Sequence, residues 1–279
     1  VSKYKENQSL KKYLSSQKKN KRGIDKWEKN IFNDSLKFIT NSHIQAKIDA
    51  NEKKITFKQT NNEGRAVVIG KKIEGWKIIF DGINQNPDNL KKTNELQRFN
   101  NVGLTGCLTF IDSNINNAKI VSNNSNCEDA INFIRTNGII ENIEVNRNRY
   151  DGIDADFSNL IFKEILVNKS GNDCLDFSFG KYNIENATLT YCQDKAISVG
   201  EKSQAKFNNL NISNSNTAIT SKDSSYTEVD ELNVAHVKNC LSAYRKKQEF
   251  SGAIIKYNKN ELYGCTYEIS TDIASKIFF

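Results

Sequence analysis

The sequence has no methionine, one proline and two histidines among its 279 residues. Because no run of about 18 or more apolar residues occurs, we expect no membrane-spanning helix. Because no Cys-x-x-Cys pair occurs, a structural zinc site is not predicted. A glycine-rich phosphate loop, a Ser/His/Asp arrangement and a basic stretch interleaved with aromatic residues are also missing. We therefore predict no nucleic-acid partner, and we expect His43 and His236 to be surface or structural residues.

The net charge and the cysteines suggest what kind of partner the protein has and in what state its thiols are. Lys and Arg number 40 against 33 Asp and Glu, and this mild positive excess predicts an anionic partner without naming it. Cys174 and Cys240 occupy equivalent positions of a repeat but lie three repeats apart. They are too far apart to bridge each other, so we expect both to be buried free thiols.

The chain begins with valine, which predicts a trimmed N-terminus and leaves a removed secretion signal open. We expect an extracellular, cell-surface or periplasmic location, with the cytoplasm and additional domains of a longer protein left open.

A period of 22 residues organises the chain between Glu128 and Arg245. The position that opens each repeat is occupied in turn by Asp129, Asp151, Asp173, Lys195, Thr217 and Asn239. A small residue and then an aliphatic residue follow each of these positions, and a second alternating strand recurs about halfway through the period. Two short strands with Asn, Ser and Gly turns in a repeat of this length are typical of a solenoid coil. We therefore predict an all-β fold, a right-handed parallel β-helix.

Three regions are predicted along the chain. Residues 1–22, rich in Lys, Ser and Asn, are expected to form a poorly ordered leader, and residues 66–279 to form the β-helix. The intervening residues 23–65 are interpreted as an N-terminal cap. Within this cap, apolar residues between Asp25 and Thr40 recur at helical spacing and predict an amphipathic capping helix. Residues 81–101, which contain the only proline, are expected to form a loop that walls a cleft.

Strand alternation predicts one surface that carries many charges. On the middle coils this surface holds five carboxylates, from Asp151, Asp154, Asp156, Asp173 and Asp176. The following coils add Lys195, Lys222 and Arg245, with Lys202 close by. Carboxylates on neighbouring coils raise one another's pKa or bind a cation, and oxygen ligands favour Ca²⁺. We therefore predict calcium ligands at Asp154, Asp156 and Asp176, although single aspartates at such turns also serve the local backbone.

Two stretches of this surface resemble the motifs of a known family. AsnArgTyrAspGlyIleAsp at 148–154 and SerGlyAsnAspCysLeuAsp at 170–176 are similar to the paired motifs Asn-Thr-Asp-Gly-Ile-Asp and Gly-Asp-Asp-Cys of the polygalacturonases, which belong to the pectin-lyase-like β-helix superfamily. The resemblance implies that Asp151 and Asp173 position an attacking water. Asn172 stands where the family has its general acid, and Lys195 where it has a histidine, so ordinary hydrolysis is disfavoured.

Other enzymes of the same superfamily imply a different chemistry. Its polysaccharide lyases neutralise a uronate carboxylate with Ca²⁺ or another cation and abstract the C5 proton with Lys or Arg, and uronan C5-epimerases begin in the same way. By this resemblance Lys195 is the predicted base, beside Asp151 and Asp173, and a lysine base needs a depressed pKa. The residues predicted to bind the substrate, an acidic polysaccharide, are Lys222, Arg245, Lys202 and Asn172.

Two alternatives stay open. The stretches 194–203 and 218–225 resemble β-helix segments of bacterial proteins that carry a spore-coat-kinase-like (CotH-type) domain, which implies a bacterial surface setting without an established activity. The chain would then be a non-catalytic β-helix that binds glycan or serves in assembly or adhesion. The other alternative is a polygalacturonase-like glycoside hydrolase. An enzyme should form a concave cleft over the charged surface, whereas a scaffold should leave it flat.

Overall fold

The computed structural model describes residues 26–33, 36–83, 98–259 and 261–279, which form a β-solenoid of about ten turns. Within these ranges all helical or strand structure is β-strand. The first strands are β1 (Trp27–Asn33), β2 (Leu36–Asn41), β3 (Ile44–Asp49), β4 (Lys54–Gln59), β5 (Ala66–Gly70), β6 (Ile73–Glu74) and β7 (Lys77–Asp81). The repeating region contains β8 (Gly106–Ile111), β9 (Asn114–Ser125), β10 (Asp129–Ile134), β11 (Asn137–Asn148), β12 (Asp151–Asp156), β13 (Asn159–Ser170), β14 (Leu175–Ser178), β15 (Lys181–Cys192), β16 (Lys195–Gly200), β17 (Gln204–Lys222) and β18 (Tyr226–Tyr244). The last strands are β19 (Ile254–Tyr257), β20 (Cys265–Thr271) and β21 (Lys276–Phe278).

Each regular coil contributes a short strand and a long strand, and each pairs in parallel with the equivalent strand of the next coil. Asp129 pairs with Asp151, and Ile153 with Leu175, so the coils repeat about every 22 residues. This register confirms the predicted parallel β-helix and its period. The sheet formed by β8, β10, β12, β14, β16 and the C-terminal parts of β17 and β18 is termed the front sheet.

The core is a column of apolar side chains inside the coils. Phe110 and Phe133 stack with ring centroids 5.0 Å apart, and Phe162, Phe177 and Phe207 continue the column. All five rings are fully buried. Because successive side chains of a strand point to opposite faces, the residues between the buried ones determine the chemistry of the surface.

Two corners of each coil are made by non-glycine residues with a left-handed backbone conformation. The first corner, after the front strand, contains Asp112, Arg135, Phe157, Phe179, Glu201 and Asp223. The second corner, before the next front strand, contains Asn124, Arg147, Lys169, Tyr191, Asn214 and His236. This conformation costs on the order of 1 kcal/mol for a residue with a Cβ atom. Since the corners recur once per coil, their side chains form two rows along the solenoid axis.

The predicted capping helix at Asp25–Thr40 is wrong from Trp27 onward. Residues Trp27–Asn33 and Leu36–Asn41 form the antiparallel pair of β1 and β2, and β2 also pairs with β5. Leu36 and Phe38, two residues apart, are both buried, and a short apolar segment can satisfy both helical and strand periodicity. The segment forms a strand rather than a helix because a strand pairs with the open edge of β5, which a helix would leave without hydrogen bonds.

The expectation of free thiols at Cys174 and Cys240 is also wrong. Three disulfides join Cys107 to Cys127, Cys174 to Cys192 and Cys240 to Cys265, with Cα–Cα distances of 5.4, 5.4 and 5.6 Å. The sequence separations of 20, 18 and 25 residues are each close to one period, so each bridge ties one coil to the next. The prediction compared only cysteines of one column and missed partners about one turn away. Such bridges are compatible with an extracellular or periplasmic protein.

No helix long and apolar enough to cross a membrane occurs among the described residues. The predicted leader, residues 1–22, and residues 84–97 of the predicted loop lie outside them.

Candidate functional site

The candidate site lies on the front sheet, where three columns of side chains run along the axis. The start column holds Asp129, Asp151, Asp173 and Lys195; the middle column holds Asn132, Asp154, Asp176 and Ser198; and the end column holds Ile134, Asp156, Ser178, Gly200 and Lys222. Neighbours within a column lie about 4.8 Å apart, the spacing of paired strands. The structure therefore brings together the five predicted aspartates with Lys195 and Lys222.

The start column binds the backbone of the next coil. Asp151 Oδ1 accepts the backbone N–H of Asp173 at 2.9 Å and the side-chain amide of Asn172 at 2.6 Å. Asp173 Oδ1 likewise accepts the backbone N–H of Lys195 at 3.0 Å. Asp151 is 5% exposed and Asp173 3% exposed. These two aspartates, which the family resemblance implies as water-positioning residues, therefore also hold the coils in register.

Burial raises the pKa of all three aspartates in the start column. Burial, and then repulsion by Asp173, raises the pKa of Asp151 to about 8. Burial raises the pKa of Asp129 to about 7, against hydrogen bonds from neighbouring side chains. Burial also raises the pKa of Asp173 to about 6, although the charge of Lys195 opposes this shift. Near neutral pH the column therefore contains both protonated and ionised carboxyl groups.

The middle column is bound by side chains alone. Asp154 Oδ2 accepts a hydrogen bond from Asn132 Nδ2 at 2.9 Å, and Asp176 Oδ1 lies 3.8 Å from Lys222 Nζ. Asp154 is half-buried, and the Asp176 side chain is 26% exposed. Unlike the start-column aspartates, Asp154 and Asp176 are partly exposed as residues, and they bind no backbone group of the next coil.

Mutual repulsion adds to burial at the partly exposed carboxyl groups. Burial, and then repulsion by Asp129 and Asp156, raises the pKa of Asp154 well above its usual range. Burial, and then repulsion by Asp176 and Glu201, raises the pKa of Asp156 to about 6. Because Asp154 Oδ2 accepts a hydrogen bond, the proton of the neutral acid resides on Oδ1. Asp154 is therefore the carboxyl group of the middle column whose surroundings favour the protonated, proton-donating form.

Three buried oxygen atoms of the middle column have no hydrogen-bond partner: Asn132 Oδ1, Asp176 Oδ1 and Ser198 Oγ. Asn132 and Ser198 are 1% and 0% exposed. Buried polar atoms of this kind are uncommon, and each costs about 1–3 kcal/mol. The middle column is therefore the part of the front sheet with spare hydrogen-bonding capacity.

Lys222 reaches Asp176 by crossing Gly200. A Cβ atom added at Gly200 would lie 3.0 Å from Lys222 Cε and 3.4 Å from its Cγ, so the lysine stem occupies the space of the missing side chain. Lys222 is buried, and its ammonium group ends 3.8 Å from Asp176 Oδ1. The glycine thus allows a cation from two coils away to reach the middle column.

Lys195 differs from the predicted base. Its Nζ lies 3.4 Å from Asp173 Oδ1 and forms a second ion pair with Asp194. Burial lowers the pKa of Lys195, but the charges of Asp173 and Asp194 outweigh burial and raise the pKa above its usual value. A lysine base requires the opposite shift. Lys195 is therefore suited to act as a cation rather than as a proton acceptor.

Two predicted substrate-binding residues lie apart from the aspartates. Lys202 Nζ lies 5.8 Å from the centroid of the Phe250 ring, at the first corner. Arg245 is exposed, and its backbone N–H donates to Asp272 Oδ2 at 2.8 Å. Asn172, by contrast, reaches the start column through its bond to Asp151.

The predicted calcium ligands do not converge as a group. In the ranges that the structure describes, no three or more His, Cys, Asp or Glu side chains have the arrangement of a metal site. Asp154 bonds to Asn132, and Asp176 faces Lys222, so hydrogen-bond donors already neighbour both carboxyl groups. Calcium binding stays a prediction.

Sequence reasoning missed Glu201, which flanks the end column together with Lys247. Glu201 accepts hydrogen bonds from Ser178 Oγ at 2.5 Å and from Lys247 Nζ at 2.6 Å. Burial raises the pKa of Glu201, but these two bonds outweigh burial and lower it. A sequence signal exists, because Lys181 pairs with Gln204, an offset of 23 (204 − 181 = 23) rather than 22. The additional residue lies at the corner that contains Glu201.

Two segments outside the strands border the acidic coils. On one side, Arg98 binds Glu128 with an N–O distance of 2.5 Å, and Asn132 Nδ2 lies 3.5 Å from Thr105 Oγ1. On the other side, the segment after β18 binds Glu201 through Lys247. One segment therefore contacts the beginning of the front strands at Glu128, and the other contacts their end at Glu201.

Exposed aromatic side chains border the carboxyl groups at the first corner. Phe157 and Phe179 are 55% and 41% exposed, and their rings stack with centroids 4.7 Å apart. Phe250 lies 6.2 Å from Phe179. Phe157 directly follows Asp156 in the chain. An apolar ledge beside polar groups is suited to a sugar, whose ring has an apolar face and hydroxyl edges.

No protein-family model matches the chain, and no curated protein and no solved structure is significantly similar to it. The β-solenoid and the arrangement of its side chains therefore carry the functional conclusion.

Proposed function

We propose that the protein is a carbohydrate-active β-helix that cleaves an acidic polysaccharide on its front sheet, in an extracellular or periplasmic setting. One observation carries the proposal: Asp154 and Asp176 are register partners on adjacent strands, one in surroundings that raise its pKa well above the usual range and the other facing the Lys222 ammonium group. Cleavage of a glycosidic bond needs a proton donor together with a carboxylate that acts as base or nucleophile. The ledge of Phe157 and Phe179 would hold the sugar ring beside this pair.

In this mechanism Asp154 Oδ1 gives its proton to the glycosidic oxygen as the bond from that oxygen to the sugar carbon breaks. The Asp176 carboxylate attacks that carbon and forms a covalent glycosyl ester. Asp154, now ionised, removes a proton from water, and the resulting hydroxide oxygen displaces Asp176. The strand spacing of about 4.8 Å is nearer to the separation of a retaining pair than to that of an inverting one. We therefore expect retention of the anomeric configuration.

The acidic nature of the substrate is supported by cations beside the pair. Lys222 faces Asp176, and the Lys195 side chain, 17% exposed, remains an ammonium group at neutral pH. Both can bind a carboxylate of the polysaccharide. The resemblance to polygalacturonases supports the same face, but the roles move three residues along each strand, because Asp151 and Asp173 are occupied by backbone hydrogen bonds.

Lyase or C5-epimerase chemistry is the second candidate, and the ion pair of Lys195 with Asp173 favours it. In this version the Lys195 ammonium group neutralises a uronate carboxylate, which makes the C5 proton of that sugar more acidic.

The test is an activity screen on acidic polysaccharides, in Ca²⁺ and in EDTA. New reducing ends report any cleavage, ultraviolet absorbance of an unsaturated product reports elimination alone, and proton exchange in D₂O reports epimerisation. Reducing ends without ultraviolet absorbance, with retained anomeric configuration, support the hydrolytic proposal. Absorbance or exchange would replace it with the second candidate.

The decisive variant is Asp176→Asn, which removes the carboxylate without changing its size. We expect kcat to fall roughly 10²–10⁴-fold, with an unchanged thermal unfolding midpoint. Glu231→Gln is the matched control, since that carboxylate is exposed on another face and pairs with Lys259. Full activity of Asp176→Asn would refute the proposed roles. Binding without any product on the whole panel would favour the non-catalytic alternative.

A further inference from the structure

A second site is indicated at the second corner of the coils, outside the three columns of the front sheet. A groove of about 760 Å³ runs along this corner. Its lining includes the corner residues Asn124, Arg147, Lys169, Tyr191 and Asn214. The remaining lining residues are polar, aromatic or small, apart from Arg149 and Ile83, and none of the described residues that line the groove is acidic. The groove is therefore cationic, in contrast to the adjacent acidic coils.

Arg149 is the feature that points to a ligand. Its Nη1 atom is buried and has no hydrogen-bond partner, and its guanidinium carbon lies 5.0 Å from the centroid of the Tyr150 ring. Arginine stays charged at all relevant pH values, and its planar fork matches a carboxylate or a sulfate. A buried guanidinium N–H group without an acceptor is unfavourable. The Nη1 atom itself is covered by protein, so an anion in the groove would meet the other N–H groups of this half-buried side chain, which lines the groove.

A glycine allows the next coil to lie close to the backbone of Arg149. A Cβ atom added at Gly171 would lie 1.7 Å from the backbone oxygen of Arg149, so only glycine lets the next coil lie against it at this point. On the neighbouring coils, Lys169 is exposed and Tyr191 is 56% exposed. Arg149, Lys169 and Tyr191 thus lie on three successive coils, which are about 4.8 Å apart along the axis, with Arg149 two residues beyond the corner row that holds Lys169 and Tyr191.

We propose that this groove binds an anionic stretch of a polysaccharide chain, with a sugar carboxylate or sulfate on Arg149 and Lys169 and a sugar ring on Tyr191. The groove leads onto the front sheet, because Tyr150 immediately precedes Asp151 and Gln193 precedes Asp194. Four extended residues separate Tyr150 from Asp154, about 13 Å. The inference rests on the proposed function only in that the same chain would span the groove and the Asp154–Asp176 pair.

The experiment measures binding without turnover, in the Asp176→Asn background. The probes are a fluorescent oligogalacturonate, its methyl ester, a heparin oligosaccharide and a single-stranded DNA oligonucleotide of similar charge, followed by anisotropy. We expect Arg149→Gln to weaken binding of an anionic glycan at least about tenfold and Lys169→Gln several-fold. Lys181→Gln is the matched control, because it removes the same charge from an exposed lysine one strand further along the coil. Arg149→Lys, which keeps the charge but loses the fork, should give an intermediate affinity.

The outcomes separate the groove from the catalytic proposal. Loss of affinity for oligogalacturonate but not for its ester identifies a carboxylate ligand, and loss for heparin alone identifies a sulfated one. Equal effects of Lys181→Gln and Arg149→Gln would overturn the proposal, as would unchanged affinity in Arg149→Gln with an unchanged thermal midpoint. Tighter binding of DNA than of every glycan would also overturn it. Groove-dependent binding without activity in the parent protein would support the groove and reject the catalytic function.

Discussion

The start and middle columns of the front sheet hold aspartates three residues apart on the same strands, yet their carboxyl groups have different partners. Asp151 and Asp173 accept backbone N–H groups of the next coil. Asp154 and Asp176 meet only side chains, one from Asn132 and one from Lys222. An aspartate near the beginning of a front strand is therefore within reach of the next backbone, and one in the middle of the strand is left to the surface. Composition alone does not separate a structural carboxylate from a chemical one; position within the coil does.

The largest effect that sharpens this comparison is the pH dependence of Asp151→Asn. The folded pKa of Asp151 is about 8, above its usual 3.8. Its stabilising contribution is thus fully present below about pH 4 and is lost as pH rises through 8. The amide cannot ionise, so the variant should gain stability relative to the parent by up to about 1.4 kcal/mol per pH unit between these values. Urea unfolding at pH 5, 6.5 and 8 measures the change.

Asp272→Asn provides the control for this series. Backbone hydrogen bonds from Arg245 lower the pKa of Asp272, so its contribution is present above its unfolded pKa and is lost only as pH falls through the folded value. The stability difference of this variant should be flat from pH 5 to 8. A flat response from Asp151→Asn as well would show that the buried carboxyl group is not protonated in the folded protein.

A pair of alanine variants separates the two columns at one pH. Asp151→Ala leaves the backbone N–H of Asp173 and the amide of Asn172 without their acceptor, and we expect a loss of about 2–3 kcal/mol in the free energy of unfolding. Asp154→Ala removes a half-buried carboxyl group that binds no backbone, so its cost should stay below about 1 kcal/mol. Denaturant midpoints at pH 6 compare them. Equal costs would contradict the division into structural and chemical columns.

The smallest expected effect comes from Gly200→Ala. The added methyl group would displace the Lys222 stem from its path to Asp176, and we expect activity to fall about tenfold with little change in stability. Lys222→Met provides the test of cause. If the glycine acts through the lysine, the double variant should be no less active than Lys222→Met alone. An additive loss would mean that Gly200 affects activity by another route.

The repeat and the charged surface could be predicted from sequence because both depend on spacing within one chain segment. The 22-residue period places Asp151 above Asp173, and alternation places Asp154 and Asp176 outward without further information. Partners on other coils could not be predicted in this way. The path of Lys222 depends on an empty position at Gly200. The period does place Asp173 beside Lys195, but it does not show that Asp173 and Asp194 outweigh burial and raise the pKa of Lys195.

The predictions of an N-terminal helix and of free thiols were wrong for a related reason. Leu36 and Ile39 fit one face of a helix, whereas Leu36 and Phe38 fit one face of a strand, and the sequence alone does not choose until the edge of β5 is known to lie beside them. Cys174 could be assigned only by looking one turn ahead to Cys192 rather than along its own column. In both cases a contact distant in sequence decided between local alternatives of similar merit.

A solenoid is a row of coils, and each coil is stabilised only by its neighbours. It can therefore unfold coil by coil from either end. The disulfides of Cys107, Cys174 and Cys240 link neighbouring coils near the start, in the middle and near the end of the regular coils. When coils separate from a terminus, the next pair of coils that a disulfide links stays joined. The middle disulfide, Cys174–Cys192, begins at the residue after Asp173. The proposed cleavage surface therefore lies in the part of the solenoid whose coils we expect to separate last.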